Sequence, residues 1–368
     1  INFYMVNKKK SKKNRANKIA RPFVSICTPT YNRRPFISYM IKCFESQTYP
    51  KELMEWIIVD DGTDPIEDLV IHIPQVKYIR IKNKITLGKK RNLMHTHTKG
   101  EIIVYMDDDD FYPPERVSHA VDKLSSSKTA LCAGSSELFV YFKHINSMYK
   151  FGPYGPQHAT AGTFAFKRKL LSETSYSDDA ALAEEKHFLK NYTVPFIQLD
   201  PLKTILVFSH EHNTFDKKKL LNNPHPQFVK KSQKTVQMFI KNDDIKDFYM
   251  NRIEGYLKNY SPGRPSMKPD VLKQIDEIET RRRKEMENMN GKICIQQPNG
   301  TTQILENNKV VEILQQQQRY IQKLELDIKA KDAEIAMLNN VLSTKEFNNS
   351  GEIKTHTTDI ISQINSEN

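Results

Sequence analysis

Cysteine is scarce in this chain: four in 368 residues, at positions 27, 43, 132 and 294, with no two spaced as a metal-binding pair. That excludes a disulfide-stapled scaffold and a zinc ribbon, and points to a reducing compartment. Long apolar runs are missing as well. Without 18 consecutive apolar residues no transmembrane helix is expected. The opening INFYMVNKKKSKKNR lacks the apolar centre of a secretory signal. Acids are absent between Lys8 and Arg21, where eight basic residues stand. Such a run reads as a solvated, disordered arm over 1–20, and nucleic acid is not an expected partner. The expected location is cytoplasmic, at most resting on a membrane surface.

Aromatic residues are plentiful, with 18 Phe and 16 Tyr, enough for a substantial core. Phe23–Thr28 reads as a strand ended by Pro29, and apolar residues at helical spacing follow over 35–48. Trp56–Val59 is a second strand and Tyr78–Ile81 a third. A Lys/Arg-rich helix starts at Gly88, and a fourth strand starts at Ile102. Strands alternating with helices predict an α/β doubly wound sheet. Further strands are expected within Ala130–Phe142 and Thr204–Ser209, a loop over 151–162, and a helix over Leu182–Lys190. The expected layout is a main domain over 21–226, a helical extension over 227–290 and a linker or small hairpin over 291–308. A coiled coil over 309–343 and a disordered tail over 344–368 complete it. The coiled coil rests on a heptad pattern through Val310, Leu314, Ile321, Leu324, Ile328, Ile335, Leu338 and Leu342. Gln317 and Lys331 interrupt it, and Asp327 and Asp332 would face each other in a parallel homodimer. Either a weak homodimer or a basic hetero-partner fits that pattern.

The most informative segment is IIVYMDDDDFYPP, Ile102–Pro114, in which four aspartates, Asp107–Asp110, leave the end of a strand. Ligands of α/β sheets gather at the carboxyl ends of strands. Crowded carboxylates there raise one another's pKa unless something positive neutralises them. Three more polar groups stand at corresponding strand ends: Thr28-Pro29-Thr30-Tyr31-Asn32-Arg33, Asp60-Asp61-Gly62-Thr63 and Leu87-Gly88-Lys89-Lys90-Arg91-Asn92. Together they offer an aromatic ring for a base, carboxylates for base or ribose, cations for phosphate, and paired acids for Mg²⁺ or Mn²⁺.

These four groups, in order and at these spacings, resemble the family 2 glycosyltransferases of the GT-A fold, from about Arg21 to Thr214. Pro29–Arg33 resembles that family's P-T-Y-N-R, and Asp60–Thr63 its D-D-G-S, with Thr for Ser. Asp107–Pro114 resembles D-A-D-D-x-x-x-P, with Asp108 in place of Ala. The resemblance implies a Rossmann-like mixed sheet and a nucleotide-sugar donor, uridine-linked. It also implies a hexosyl- or N-acetylhexosaminyl-transferase whose acceptor is a glycan, protein or lipid of unstated identity. Residue by residue, Thr30, Tyr31, Arg33, Asp60, Lys90, Arg91, Asp107 and Asp108 are implied to bind the nucleotide, Tyr31 by stacking and Asp60 at the base edge. Asp107, Asp109 and His212 are the implied ligands of Mn²⁺ or Mg²⁺. Glu185, or its neighbour Glu184, is the implied general base in an inverting transfer. Two alternatives share some of these features. One is nucleotidyl transfer to a sugar phosphate, although Pro29–Arg33 lacks the glycines expected for it. The other is an inactive nucleotide-binding scaffold with a coiled coil.

Overall fold

A computed structural model describes residues 21–182, 185–222, 224–289, 293–296, 302–305 and 307–345. The basic arm and most of the C-terminal tail lie outside the described residues. In chain order the elements are β1 (Val24–Thr30), α1 (Arg34–Glu45), β2 (Met54–Asp60), α2 (Glu67–Val70), β3 (Val76–Arg80), α3 (Leu87–His97), β4 (Ile102–Tyr105) and α4 (Arg116–Ser126). They continue with β5 (Cys132–Gly134), β6 (Leu138–Phe142), β7 (Ser147–Phe151), β8 (Ala165–Lys167), α5 (Glu185–Phe188), β9 (Phe196–Gln198), β10 (Val207–Ser209) and β11 (Val229–Lys231). Next come α6 (Val236–Phe239), α7 (Asp243–Asp247), α8 (Ile253–Lys258), α9 (Pro269–Met289), β12 (Ile293–Gln296), β13 (Thr302–Leu305) and α10 (Asn307–Lys345).

A seven-stranded mixed sheet has the order β3-β2-β1-β4-β8-β5-β9; its parallel part, β3-β2-β1-β4, is what the alternation of strands and helices predicts. β8 runs antiparallel to both β4 and β5. A second sheet, β10-β6-β7-β11, adjoins it in sequence. Side chains alternate across the first sheet, as the pleat requires. Ile26, Trp56, Ile58 and Val104 enter one core, whereas Cys27, Ile57, Val59 and Tyr105 enter the other. β1 does not stop at Pro29 as expected; it continues to Thr30, paired with Asp60 of β2. The proline is tolerated because β4 pairs with β1 only as far as Cys27, so no ladder partner awaits its missing N–H.

A buried chain of hydrogen bonds sets the strand ends level. Trp56 Nε1 donates to Thr28 Oγ1 at 2.8 Å, and that hydroxyl donates to Met106 O at 2.6 Å. β2, β1 and the exit of β4 are thereby tied together immediately beneath the polar groups. The first part of the helical extension packs on the main sheet. Val236, Phe239, Phe248, Tyr249 and Leu257 join the same core as Ile26 and Trp56. The compact unit accordingly extends to Glu279 and the chain divides there.

In the second unit, β12 and β13 pair antiparallel, with Ile293 opposite Leu305; residues 297–301 between them lie outside the described residues. α10 covers the heptad segment as one helix, and Leu314, Ile321, Leu324, Ile328, Ile335 and Leu338 are exposed along it. Among the described residues no helix is long and apolar enough to cross a membrane.

Candidate active site

The parallel register brings Thr30 level with Asp60, and Cys27 level with Tyr105. Because neighbouring strands lie about 5 Å apart, the groups after β1, β2 and β4 share one rim of the sheet. The N-terminal half of α3 packs against the same rim. A cleft opens there, lined by Thr30 at the end of β1 and Tyr31 and Arg33 after it, by Lys90 and Arg91 of α3, and by Asp107, Asp108 and Asp109 after β4. Lys84, Thr214, Lys268 and Asp270 line it too. Of the expected nucleotide-binding residues, all but Asp60 border the cleft.

Asp60 is buried and its carboxylate is committed to the turn that follows it. Oδ1 accepts from Gly62 N at 2.8 Å, and Oδ2 accepts from Ile66 N at 3.1 Å and Tyr78 OH at 2.8 Å. The next acid, Asp61, faces inward instead. It pairs with Lys90 Nζ, which also donates to Thr30 O at 2.9 Å, and it accepts from Ile85 N at 2.8 Å. Burial pushes the Lys90 ammonium below its ordinary pKa, and Asp61 works against that shift. Asp61 has no role in the family resemblance, although it stands beside Asp60, which has one.

The four aspartates are unequal. Arg33 enters the cluster, with NH2 3.2 Å from Asp109 and Nε 3.5 Å from Asp108, while its NH1 donates to His212 O at 2.7 Å. Burial works against charge on Asp109. Arg33, together with His210 at 3.5 Å, outweighs it and holds Asp109 well below the usual carboxylate range. Burial lifts Asp108 to about 7 despite Arg33. Burial and then Asp109 hold Asp110 well above the usual range. Asp107 is the most accessible of the four, and Arg91 NH2 lies 3.8 Å from its Oδ1. Tyr112 positions Asp107 by accepting from its backbone N at 2.8 Å and donating to Gly162 O at 3.1 Å.

Among the described residues no three His, Cys, Asp or Glu side chains converge to hold a metal ion. Asp107 and Asp109 line the cleft, but His212 does not. The His212 ring is buried, and neither ring nitrogen has a hydrogen-bond partner among the described residues. Burial, then Arg33, lowers its pKa to about 4, so the imidazole is neutral and able to donate a lone pair. The two carboxylates suit Mg²⁺ or Mn²⁺ in kind; the imidazole, outside the cleft, does not join them.

Glu185 begins α5, and its Oε1 accepts weakly from Ala161 N at 3.5 Å. It does not border the cleft, whereas Ala181, four residues earlier, does. Glu184 lies outside the described residues. The turn Ala161–Thr163 joins the two regions, since Gly162 packs on Asp107: a Cβ at 162 would lie 2.8 Å from Asp107 Oδ2. Arg116 fixes the far side of this turn. Fully buried, it donates from NH2 to Tyr105 O, Thr163 O and Phe164 O at 3.1, 2.9 and 2.7 Å.

Residues 260–271 supply a part of the site that the sequence pattern does not announce. Tyr260 OH donates to Asp64 Oδ2 at 2.8 Å, and Asn32 Nδ2 donates to Pro262 O at 2.9 Å. Tyr31 OH donates to Met267 O at 2.9 Å, and Lys268 Nζ donates to Thr214 Oγ1 at 2.8 Å. Asp270 pairs with Lys84. A little further on, Gln274 Oε1 accepts from Ala181 N and Leu182 N, both at 2.9 Å. Nothing in the local pattern of 260–274 announces these long-range bonds.

Residues 25–174 match the family model described as "Glycosyl transferase family 2". This segment belongs to that family. The glycosyl transferase family 2 segment contains every strand-end group named above and all but β9 of the seven-stranded mixed sheet, the fold that the resemblance implies. Poly(ribitol-phosphate) beta-N-acetylglucosaminyltransferase TarS of Staphylococcus aureus is 28% identical over 101 residues, 26% of this chain and 18% of that one. UDP-Glc:alpha-D-GlcNAc-diphosphoundecaprenol beta-1,3-glucosyltransferase WfaP of Escherichia coli is 32% identical over 108 residues, 28% of this chain and 42% of that one. The chain thus spans less than half the length of these curated relatives. Among solved structures, a mannosyltransferase from Pyrobaculum calidifontis in complex with GDP-Man and Mn²⁺ has a TM-score of 0.43 at 15% identity, covering 67% of this chain and 74% of that one. S. aureus TarS 1–349 with UDP-GlcNAc has a TM-score of 0.41 at 16% identity, covering 68% and 78%.

Proposed function

We propose that this protein transfers a sugar from a nucleotide-sugar, uridine-linked, to an acceptor hydroxyl with inversion at the anomeric carbon. The observation that carries the reading is the composition of the cleft: accessible carboxylate, buried cations and an aromatic ring meet at the carboxyl ends of β1 and β4. A nucleoside diphosphate needs all three. Curated relatives named for N-acetylglucosaminyl and glucosyl transfer support the same class.

In this reading Asp107 and Asp109 would hold Mg²⁺ or Mn²⁺, without His212, which does not border the cleft; bound there, the ion would supply positive charge to the departing diphosphate. Arg91 and Lys90 lie along the same wall and favour that charge directly. Tyr31 offers a ring face to the nucleobase. Asp60 holds the turn under the site and acts on the nucleotide through that turn. Glu185 is the general base: its carboxylate takes the proton of the acceptor hydroxyl as the oxygen bonds to the anomeric carbon. The bond from that carbon to the diphosphate breaks in the same displacement, and its electron pair leaves with the phosphate. The heptad face of α10 is read as a pairing surface for a second copy, with Ile or Leu at alternate core positions.

Thermal melting with UDP, with and without Mn²⁺, tests the donor and metal parts together. Metal-linked stabilisation by UDP is expected. Absence of any response to UDP or to other nucleoside diphosphates would overturn the reading. Glu185→Gln should abolish transfer while UDP still binds; activity in that variant would remove Glu185 from its role.

A further inference from the structure

We propose that Lys268, which lies outside the family-matched segment, contacts the phosphoryl oxygens of the donor diphosphate and sets its affinity. The inference deepens the nucleotide-sugar reading above and rests on it.

Three ammonium groups surround the Tyr31 ring, Lys84 at 5.2 Å and Lys90 and Lys268 at 5.9 Å from its centre. Two of them are already neutralised. Lys84 pairs with Asp270, and Lys90 with Asp61. Arg33 is likewise spent on Asp108 and Asp109. Lys268 differs. It is only 6% exposed and borders the cleft, yet its hydrogen bond goes to Thr214 Oγ1, a neutral hydroxyl, at 2.8 Å. Among the described residues no carboxylate lies within ion-pair distance of it. A buried ammonium without an anion is costly, and a phosphate oxygen in the cleft would remove that cost.

The backbone holding Lys268 is well determined. Met267 O is fixed by Tyr31 OH, Pro262 O by Asn32, and Asp270 by Lys84. Lysine 268 is thus presented from a segment anchored on both sides, to the same ring that the donor base would use. One structural explanation competes: the ammonium could merely offset the field of Asp108 and Asp109. That role makes Lys268 a stability determinant with no preference for phosphate over a neutral nucleoside.

The two roles separate in a binding experiment on the full-length chain with UDP and with uridine as probes, in buffer containing Mn²⁺. Lys268→Met and Lys268→Gln, which keep the stem, should weaken UDP at least tenfold and uridine less than twofold. Lys268→Arg should recover most of the UDP affinity. Equal binding of UDP by wild type and both neutral variants would overturn the proposal and leave the donor reading intact. So would parallel loss of UDP and uridine, the mark of a structural role. A wild-type chain that binds no nucleoside diphosphate would overturn the donor reading itself, and the role of Lys268 with it.

Discussion

Replacing Asp60 by asparagine separates building the site from binding the nucleotide. The family resemblance puts Asp60 at the base edge, but its two oxygens accept from Gly62 N, Ile66 N and Tyr78 OH at 2.8, 3.1 and 2.8 Å. Asparagine keeps one acceptor oxygen and turns an NH2 toward the other side. If the oxygen stays with Gly62 N, the new NH2 meets the Ile66 N–H, a donor against a donor, while the Tyr78 hydroxyl can rotate to accept. A charge-assisted bond contributes about 1.5–3 kcal/mol, and an orphaned buried donor costs a similar amount. The expected loss is about 2–3 kcal/mol. For a unit of this size that corresponds to roughly 2–4 °C per kcal/mol, hence a melting-point drop of about 5–10 °C. Urea or thermal unfolding measures the loss, and calorimetric titration of UDP at a temperature where the variant is folded measures the other quantity. Affinity should stay within about threefold of wild type, because the carboxylate does not border the cleft. A variant as stable as wild type that has lost UDP tenfold would refute the structural assignment and return Asp60 to the base.

Gly162→Ala would put a Cβ 2.8 Å from Asp107 Oδ2, and the side chain, being the softer partner, should yield. Folding should therefore change little while Mn²⁺-linked UDP stabilisation falls; an unchanged metal response would show that Asp107 needs no fixed position. His210 is buried and its pKa is lowered to about 4, chiefly by burial, with Asp109 opposing the shift. The folded state therefore releases this proton more readily than the unfolded one. The stabilisation is complete above about pH 6.5 and is lost as pH falls toward 4. Unfolding midpoints in metal-free buffer should decline over that window, with a slope contribution of up to about 1.4 kcal/mol per pH unit, and His210→Gln should flatten the decline. An identical slope in that variant would assign the pH dependence elsewhere. For α10, sedimentation of the full chain should show self-association that Ile328→Lys abolishes; an unchanged sedimentation coefficient would remove that helix as the pairing surface.

The strands that carry the site were legible because each is an apolar run closed by polar or breaking residues: Phe23–Thr28 before Pro29, Trp56–Val59 before Asp60, and Ile102–Tyr105 before the aspartates. Their pairing also followed, since alternating helices imply parallel neighbours. β8, β9 and β11, three residues each, have too little pattern to read and are specified by their partners. Arg116 was illegible for another reason. A charged side chain reads as surface, and only the three carbonyls converging on NH2 explain why it is buried. The same holds for Lys268 and Asp270, whose stretch looks like a charge-rich helical extension until its bonds to Tyr31, Thr214 and Lys84 are known. Pro262-Gly263-Arg264-Pro265 announced a break in the helices but not its destination.

The aspartate cluster shows most sharply what a sequence conceals about charge. Four adjacent acids read as a deficit that only a bound dication could cover. In the folded chain much of that deficit is covered already. Arg33 neutralises Asp109 and His210 lies beside it, while Asp108 and Asp110 are shifted toward their protonated forms by burial. Crowding alone therefore does not demand a metal. The demand narrows to Asp107, whose backbone is held by Tyr112 and whose side chain abuts Gly162 and faces the cleft. It is the acid placed where a ligand could reach it without first breaking the Arg33 pairs. On this argument a metal-dependent affinity for UDP should be more sensitive to Asp107→Asn than to Asp110→Asn, because Asp110 is buried and does not border the cleft.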